Sequence, residues 1–183
     1  MKVTETKIKG CFIIEPKTFG DHRGYFFETF NQKLFSELTG FNSLFVQDNQ
    51  SFSHRGVLRG LHFQKGEYAQ AKLVRVIKGK VLDVAVDIRK GSPTYGQHVE
   101  EELSEENQRQ LFFPRGFAHG FSVLEDNTVF SYKCDNYYNK ASEGGIIYND
   151  PQFNINWRLD DREVQLSEKD EILPMFKVSN CDY

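Results

Sequence analysis

Cysteine and long apolar runs are both scarce in this sequence. The chain has three cysteines, Cys11, Cys134 and Cys181, and no two of them form a Cys-x-x-Cys pair. An odd and widely spaced set argues against a disulfide framework and against a structural zinc site. No run of about 18 apolar residues is present, so we predict no membrane-spanning helix. The polar start MKVTETKIKG is unlike a signal peptide, and we therefore expect a reduced, cytoplasmic protein.

Metal ligands are also few. The five histidines are spread along the chain, and His62 is followed by Phe63 and Gln64 rather than by the second histidine of a His-x-His pair. A metal site needs several histidine or carboxylate ligands that converge on one point. The sequence therefore predicts no bound zinc or iron.

Neither sign of charge dominates the whole chain. The formal net charge is -3, which leaves no electrostatic footprint for nucleic acid. Between Ser51 and Lys80, however, seven cations stand against the single anion Glu67. This local excess suits a small polyanion such as a pyrophosphate, although lysines in such a stretch can equally serve to solvate the surface.

Aromatic residues and short strand patterns are abundant. The chain holds 17 Phe, 8 Tyr and 1 Trp, which favour strands and offer flat surfaces for stacking, although core packing accounts for most of them. One helix is predicted between the cap Asn31 and Gly40, and a second begins near Ser167. Strands are predicted over residues 25–30, 45–53, 73–77, 81–88, 98–103, 110–113, 118–123 and 128–132. This pattern indicates one all-β domain over residues 1–183, either a sandwich or a barrel.

Residues 56–64, with the sequence GVLRGLHFQ, form the densest candidate for chemistry. On a regular strand, Arg59 and His62 would point to opposite faces. Gly60 can host a bulge that lets both side chains reach one cavity. His62 is then a candidate general base, although an isolated histidine is more often a structural or surface group.

Two further candidates share strand faces with apolar residues. Lys72 alternates with Val74 and Val76, so it either points inward and needs an anionic partner or extends outward from the strand end. Tyr132 alternates with Phe130, and a buried phenol of this kind usually forms a hydrogen bond with the backbone, although a functional role stays open.

Three polar side chains remain open to two interpretations. His119 is either a satisfied core group or a donor to a phosphate or sugar oxygen. Asp83 alternates with apolar neighbours, which predicts a buried carboxylate that needs a partner. Asp170 follows Ser167 at the spacing of a capping box, which by itself predicts only a helix cap.

Several longer motifs together resemble one family. They are FGDHRGYFFETF (19–30), QDNQSFS (47–53), VLRGLHFQ (57–64), KLVRVIKGKVLDVAVDIRKGSPTYG (72–96), PRGFAHGF (114–121), the YxxxxYY spacing (132–138), EGG (143–145) and LSEKD (166–170). In this order they are similar to the dTDP-4-dehydrorhamnose 3,5-epimerases over residues 8–174. The pattern departs at Ala71, where a glycine is expected, and over residues 112–115, where a Trp-Ile-Pro-Glu type of run is more usual.

The resemblance implies a homodimeric jelly roll of the cupin type, a double-stranded β-helix with a few short helices, that uses no metal and no organic cofactor. It implies inversion of C3 and C5 of dTDP-4-dehydro-6-deoxy-D-glucose to give dTDP-4-dehydro-L-rhamnose. His62 then matches the base, Tyr132 the acid, and Asp170 the partner of His62. The residues that match substrate-binding positions are Arg23, Glu28, Gln47, Asp48, Asn49, Arg59, Lys72, His119, Glu143 and Lys169.

These residue types suit that chemistry. A histidine with an unperturbed pKa of about 6.5 is an effective general base, and a lysine can stabilise the enolate oxygen. Arginine binds phosphate oxygens through two parallel hydrogen bonds, which suits Arg59 and Arg23. We further hypothesise that Asp83 orients His119 toward the sugar.

Alternatives remain open at the level of sequence. An enzyme that acts only at C3, only at C5 or on another nucleotide sugar would share the same base and fold. A non-catalytic carbohydrate-binding jelly roll would account for the aromatics and cations. A metal-dependent oxygenase of the same fold is the third alternative.

Overall fold

The computed structural model describes residues 1–177 and consists mainly of strands. The helices are α1 (Gln32–Thr39) and α2 (Glu168–Glu171), with single 3-10 turns at Gly66–Tyr68 and Lys140–Ser142. The strands are β1 (Lys2–Glu5), β2 (Phe12–Glu15), β3 (Phe19–Asp21), β4 (Gly24–Phe26), β5 (Gln47–Ser53), β6 (Leu58–Gln64), β7 (Lys72–Lys78), β8 (Lys80–Asp87), β9 (His98–Ser104), β10 (Gln110–Phe113), β11 (Phe117–Val123), β12 (Thr128–Cys134) and β13 (Glu143–Gly145).

The strands form two packed antiparallel sheets and one hairpin. The six-stranded sheet has the order β1-β2-β10-β7-β12-β5, and the five-stranded sheet has the order β13-β6-β11-β8-β9. β3 and β4 form a separate hairpin. Most neighbours within a sheet are not consecutive in sequence, because the chain crosses repeatedly from one sheet to the other. The predicted all-β jelly roll is therefore confirmed.

Strand β8 shows why the sandwich forms. Val81 and Ala85 face the cluster between the two sheets, whereas Leu82, Val84 and Val86 face a second apolar cluster on the outer side of the five-stranded sheet. Both faces of the strand are thus buried, which explains its nearly continuous apolar sequence. Each of the valine and leucine side chains contributes roughly 1.5–3 kcal/mol on full burial.

The first helix lies over the outer face of the six-stranded sheet. The Asn31 side chain accepts a hydrogen bond from the Leu34 amide, and Gly40 ends the helix in the left-handed conformation with φ of 73°. Phe35 is fully buried and packs against Phe112 with a centroid distance of 5.1 Å. Both predicted helix boundaries are confirmed.

The strand predictions are confirmed to within about two residues for β7 to β12, and two others need correction. The predicted strand 25–30 ends at Phe26, and β5 begins at Gln47 rather than at residue 45. The same packing explains both differences. Phe30 and Phe45 lie outside the strands, where they pack against each other and against Phe35 of α1. Strands β1, β2, β3, β6 and β13 were not among the predicted strands. No helix within residues 1–177 is long and apolar enough to cross a membrane.

Candidate active site

A cavity of about 430 Å³ lies between the two sheets and is lined by side chains from both. One wall comes from β5, β7 and β12 of the six-stranded sheet, and the other from β6 and β11 of the five-stranded sheet. The segment around α2 closes one side. The lining residues are Asn49, Gln50, Ser51, Arg59, His62, Lys72, His119, Phe121, Tyr132, Ser167, Lys169 and Asp170.

A bulge in β6 brings Arg59 and His62 to the same cavity. His62 lies opposite His119 on β11, but Arg59 lies opposite Phe121, so the register shifts by one residue between them. Gly60 has φ of 113°, and a Cβ there would lie 2.6 Å from the Gly120 Cα. Only glycine fits this position without a backbone shift. The bulge predicted from the sequence is confirmed.

His62 is held by a buried carboxylate. Its Nε2 lies 2.5 Å from Asp170 Oδ1, and the other oxygen of Asp170 accepts a 2.8 Å hydrogen bond from the Ser167 hydroxyl. Burial acts to raise the pKa of Asp170, but the hydrogen bonds from His62 and Ser167 outweigh it, so this pKa lies below its ordinary value. Ser167 also caps α2 through the Asp170 amide, as predicted. The cap and the His62 contact are thus compatible, because α2 aims the Asp170 side chain at the cavity.

Lys72 and Tyr132 stand on the opposite wall. Lys72 lies at the start of β7, with its Nζ 5.5 Å from the centroid of the Tyr132 ring. Burial lowers the pKa of Lys72 and raises the pKa of Tyr132 to about 12. Lys72 therefore points inward, and within residues 1–177 it forms no ion pair with a carboxylate.

His119 belongs to a second histidine–carboxylate pair. Its Nε2 lies 2.8 Å from Asp83 Oδ2, and both side chains are buried. The imidazole packs between aromatic rings, with centroids 4.9 Å from Phe113 and 6.1 Å from Phe130. Burial lowers the pKa of His119, although the neighbouring Asp83 opposes the effect. The predicted contact between Asp83 and His119 is present.

Polar side chains continue from the cavity to its rim. Arg59 Nη2 donates a 3.2 Å hydrogen bond to the Ser53 hydroxyl. Glu143 forms an ion pair with Lys169 and accepts a 3.2 Å hydrogen bond from the Tyr138 hydroxyl. An adjoining cavity of about 240 Å³ shares four lining residues with the first, namely Asn49, His62, Lys72 and Tyr132, and adds Gln47, Tyr138 and Glu143.

Three residues predicted to bind substrate lie away from both cavities of this chain. Asp48 points to the outer face of its sheet, where it pairs with Lys133 at 2.9 Å, because alternate residues of β5 face opposite sides. Arg23 is 78% exposed on the β3–β4 hairpin and pairs with Asp21. Glu28 is also exposed, just beyond the hairpin.

Other lining residues were not singled out from the sequence. Ser51 follows Asn49 by two residues on β5, so strand alternation could have predicted that both side chains face the cavity. Phe121 shares a strand face with His119 in the same way. Tyr138 lies in a loop, where no periodicity applies. The acidic group formed by Glu105, Glu106 and Glu125 is the one cluster within residues 1–177 whose spacing suits a metal ion, and it does not line the cavity.

Fold and site together define an isomerase of the cupin-type jelly-roll class. The chain belongs to the dTDP-4-dehydrorhamnose 3,5-epimerase family, whose model matches residues 5–178. The dTDP-4-dehydrorhamnose 3,5-epimerase of Shigella flexneri is 55% identical over 170 residues, which cover 93% of each chain.

Two solved structures extend the comparison to three dimensions. The dTDP-4-dehydrorhamnose 3,5-epimerase of Elizabethkingia anophelis superposes with a TM-score of 0.93 at 56% identity and covers 97% of each chain. The dTDP-6-deoxy-D-glucose-3,5-epimerase of Legionella pneumophila, solved in complex with dTDP-4-keto-L-rhamnose, has a TM-score of 0.93 at 51% identity. That match covers 97% of this chain and 93% of the Legionella chain.

Proposed function

We propose that this protein inverts C3 and C5 of dTDP-4-dehydro-6-deoxy-D-glucose and so forms dTDP-4-dehydro-L-rhamnose. The observation that carries the proposal is the 2.5 Å contact between His62 and Asp170 in a cavity that also contains Lys72 and Tyr132. A carbon beside a ketone loses its proton when a base, a stabiliser of the enolate oxygen and an acid act together. This cavity supplies one side chain for each task.

His62 is the proposed base. A carboxylate only accepts hydrogen bonds, so Asp170 holds the proton of the neutral imidazole on Nε2 and leaves Nδ1 free to take a proton from carbon. Asp170 also stabilises the imidazolium that results, as in other histidine–aspartate pairs. A positioned base of this kind typically contributes about 10²–10⁴-fold to the rate.

Lys72 is the proposed stabiliser of the enolate. Its ammonium group projects into a buried site, where an electrostatic contact is stronger than in water. Loss of one donor to a developing oxyanion typically costs about 2.7–4 kcal/mol. Because C3 and C5 flank the same C4 ketone, one lysine can serve both proton transfers.

Tyr132 is the proposed acid. Burial raises its pKa to about 12, so the phenol keeps its proton at neutral pH and can deliver it. Tyr132 stands on β12 and His62 on β6, and these strands belong to opposite sheets. A proton removed toward one sheet and returned from the other inverts the carbon.

The remaining polar residues are proposed to bind the substrate. Arg59 suits the diphosphate. His119 is oriented by Asp83, which takes the hydrogen on Nε2, so its Nδ1 is proposed to accept a hydrogen bond from a sugar hydroxyl. Gln47, Asn49, Glu143 and Lys169 surround the adjoining rim and are proposed to contact the rest of the nucleotide sugar.

A homodimer explains the residues that lie outside the cavity. The β3–β4 hairpin exposes three aromatic side chains, with Tyr25 63% and Phe26 71% exposed. Isolated exposed aromatics are common, but three on one small hairpin favour a covered surface. We propose that the hairpin of one protomer covers the cavity of the other, which brings Arg23 and Glu28 to the substrate. Asp48, on the outer sheet face, is proposed to act near this interface.

We also place the enzyme in the cytoplasm, where its product would supply dTDP-rhamnose for cell-wall or O-antigen polysaccharide. Cys11 and Cys134 are free and buried, which suits a reducing compartment.

The decisive test is hydrogen exchange in D₂O. The protein is incubated with dTDP-4-dehydro-6-deoxy-D-glucose, and deuterium is located by NMR. Label at both C3 and C5, with the L-rhamno product, supports the proposal. Label at one carbon alone identifies a monoepimerase, and binding without any exchange identifies a non-catalytic carbohydrate-binding protein.

A further inference from the structure

Three carboxylates either line the two adjoining cavities, as Asp170 and Glu143 do, or contact a lining side chain, as Asp83 contacts His119. Two of the three have partners for their charge. Asp170 accepts hydrogen bonds from His62 and Ser167. Glu143 pairs with Lys169 and accepts a hydrogen bond from Tyr138. Both oxygens of each group thus have partners.

Asp83 is the exception. It is fully buried at 0% exposure, and its Oδ1 has no hydrogen-bond partner within residues 1–177. Its Oδ2 receives a hydrogen bond from His119, and burial lowers the pKa of that imidazole, which favours its neutral form at pH 7. A buried carboxylate with one unsatisfied oxygen is costly unless a nearby positive charge compensates it.

Lys72 is a partly buried cation that likewise lacks a partner of opposite charge within residues 1–177. It lines the same cavity as His119 and has no ion pair within the described part of the chain. Several charged and titratable groups line a cavity with Lys72 or act on it electrostatically. They are Tyr132 and Cys134 (β12), His119 (β11), Arg59 and His62 (β6), Asp83 (β8), Glu143 (β13), and Lys169 and Asp170 (α2).

Of these groups, few can balance an ammonium ion. Burial raises the pKa of Cys134 to about 11 and that of Tyr132 to about 12, so both are neutral at pH 7. Glu143 is already paired with Lys169. Asp170 is paired with His62. Among the carboxylates of residues 1–177 near Lys72, Asp83 is therefore the one without an ion pair to a lysine or arginine.

We propose that Asp83 is the fixed counter-charge of Lys72 and, across the neutral imidazole of His119, keeps the Lys72 amine protonated inside the cavity. Asp83 does not touch the substrate in this arrangement, so it is a positioning residue. The use of the ammonium group on the enolate rests on the proposed function, whereas the coupling of the two charges is a property of the free protein.

The test is an NMR titration of Lys72 in protein labelled with ¹³C and ¹⁵N at lysine, without substrate. The Lys72 resonance is assigned with Lys72→Met. In Asp83→Asn, we expect the pKa of Lys72 to fall by about one unit or more, since opposite charges in a low-dielectric site shift a pKa by about that much. The matched control is Glu143→Gln, whose charge is already balanced and whose effect should be smaller. An unchanged Lys72 pKa in Asp83→Asn overturns the proposal.

A reciprocal measurement covers the case in which Asp83→Asn does not fold. In Lys72→Met, the ¹³C titration of Asp83 should move to higher pH by a similar amount, because coupling between two sites acts equally in both directions. An Asp83 titration identical to that of the wild type also overturns the proposal.

Kinetics separate this role from simple orientation of His119. If Asp83 acts through charge, the alkaline limb of kcat in Asp83→Asn moves to lower pH along with the Lys72 pKa. If it only orients the imidazole, kcat falls equally at every pH and the limb stays in place, which contradicts the proposal. The D₂O exchange assay of the wild-type protein tests the proposed function independently of these variants. A failure of the proposed function can therefore be distinguished from a failure of the charge coupling.

Discussion

Replacement of Asp170 by asparagine isolates the charge behind His62. The asparagine side chain keeps the shape of the aspartate and can still contact Ser167, but it carries no negative charge. Asp170 is 3% exposed, so water cannot take the place of the lost carboxylate. The 2.5 Å contact is charge-assisted once His62 holds a proton, and such bonds contribute about 1.5–3 kcal/mol.

The expected loss follows from that energy. A loss of about 1.5–3 kcal/mol corresponds to about 10–150-fold in rate. If the amide presents its NH₂ group to Nε2, the imidazole must adopt the other tautomer, and in serine proteases the corresponding change lowers kcat by about 10⁴-fold. We therefore expect Asp170→Asn to lower kcat by between about 10-fold and 10⁴-fold, with binding of dTDP little changed.

The assay is the initial rate of deuterium incorporation at C3 and C5, with dTDP affinity measured by calorimetry. Ser167→Ala is the matched control, because it removes the hydroxyl that donates to the same carboxylate and caps α2 but leaves the negative charge beside His62 in place. Its effect on kcat should therefore be smaller than that of Asp170→Asn. An Asp170→Asn protein that folds and exchanges at more than a third of the wild-type rate would refute the role assigned to this pair.

The other predictions concern the base, the acid, the core and acid stability. His62→Asn should abolish exchange yet bind dTDP, whereas His54→Asn, at an exposed position, should leave both exchange and binding unchanged; exchange in His62→Asn would identify a different base. Tyr132→Phe should slow product formation more than proton loss, and equal slowing, measured by NMR, speaks against the acid role. Phe35→Ala should lower the free energy of unfolding by about 3–5 kcal/mol in urea melts, since the ring is fully buried. Burial acts to raise the pKa of Asp87, but hydrogen bonds from its neighbours lower it to about 2, so its stabilisation is complete above the ordinary carboxyl pKa of about 3.9 and is lost as the pH falls toward 2; Asp87→Asn should flatten that part of the acid-unfolding curve.

Local patterns in the sequence were sufficient to predict much of the fold. Asn31 and Gly40 specify their helix ends through caps that depend on neighbouring backbone alone. The bulge at Gly60 was also readable, since two functional side chains three residues apart cannot share a strand face without it. For Lys72, alternation with Val74 and Val76 left an inward and an outward orientation open, and the structure shows the inward one.

Long-range pairings were not readable in this way. Asp170 lies 108 residues from His62, and its local pattern predicts only a helix cap. Asp48 and Asn49 are adjacent and point to opposite faces of β5, but the pairing of β5 with β12 decides which of the two faces the cavity. Strand β13 has three residues and two glycines, so no periodic pattern distinguishes it from a turn.

The two-sheet architecture gives a physical reason for inversion rather than simple exchange. An enolate carbon is planar, so its configuration changes only when the proton leaves by one face and returns by the other. A base and an acid on the same sheet would address the same face and restore the original centre. Here His62 projects from the five-stranded sheet and Tyr132 from the six-stranded sheet, with Lys72 on the same wall as Tyr132. In the proposed mechanism, a ketone held at Lys72 between these walls would present C3 and C5 in turn to the same pair of groups, so the second inversion would need reorientation of the sugar ring but no additional catalytic residue.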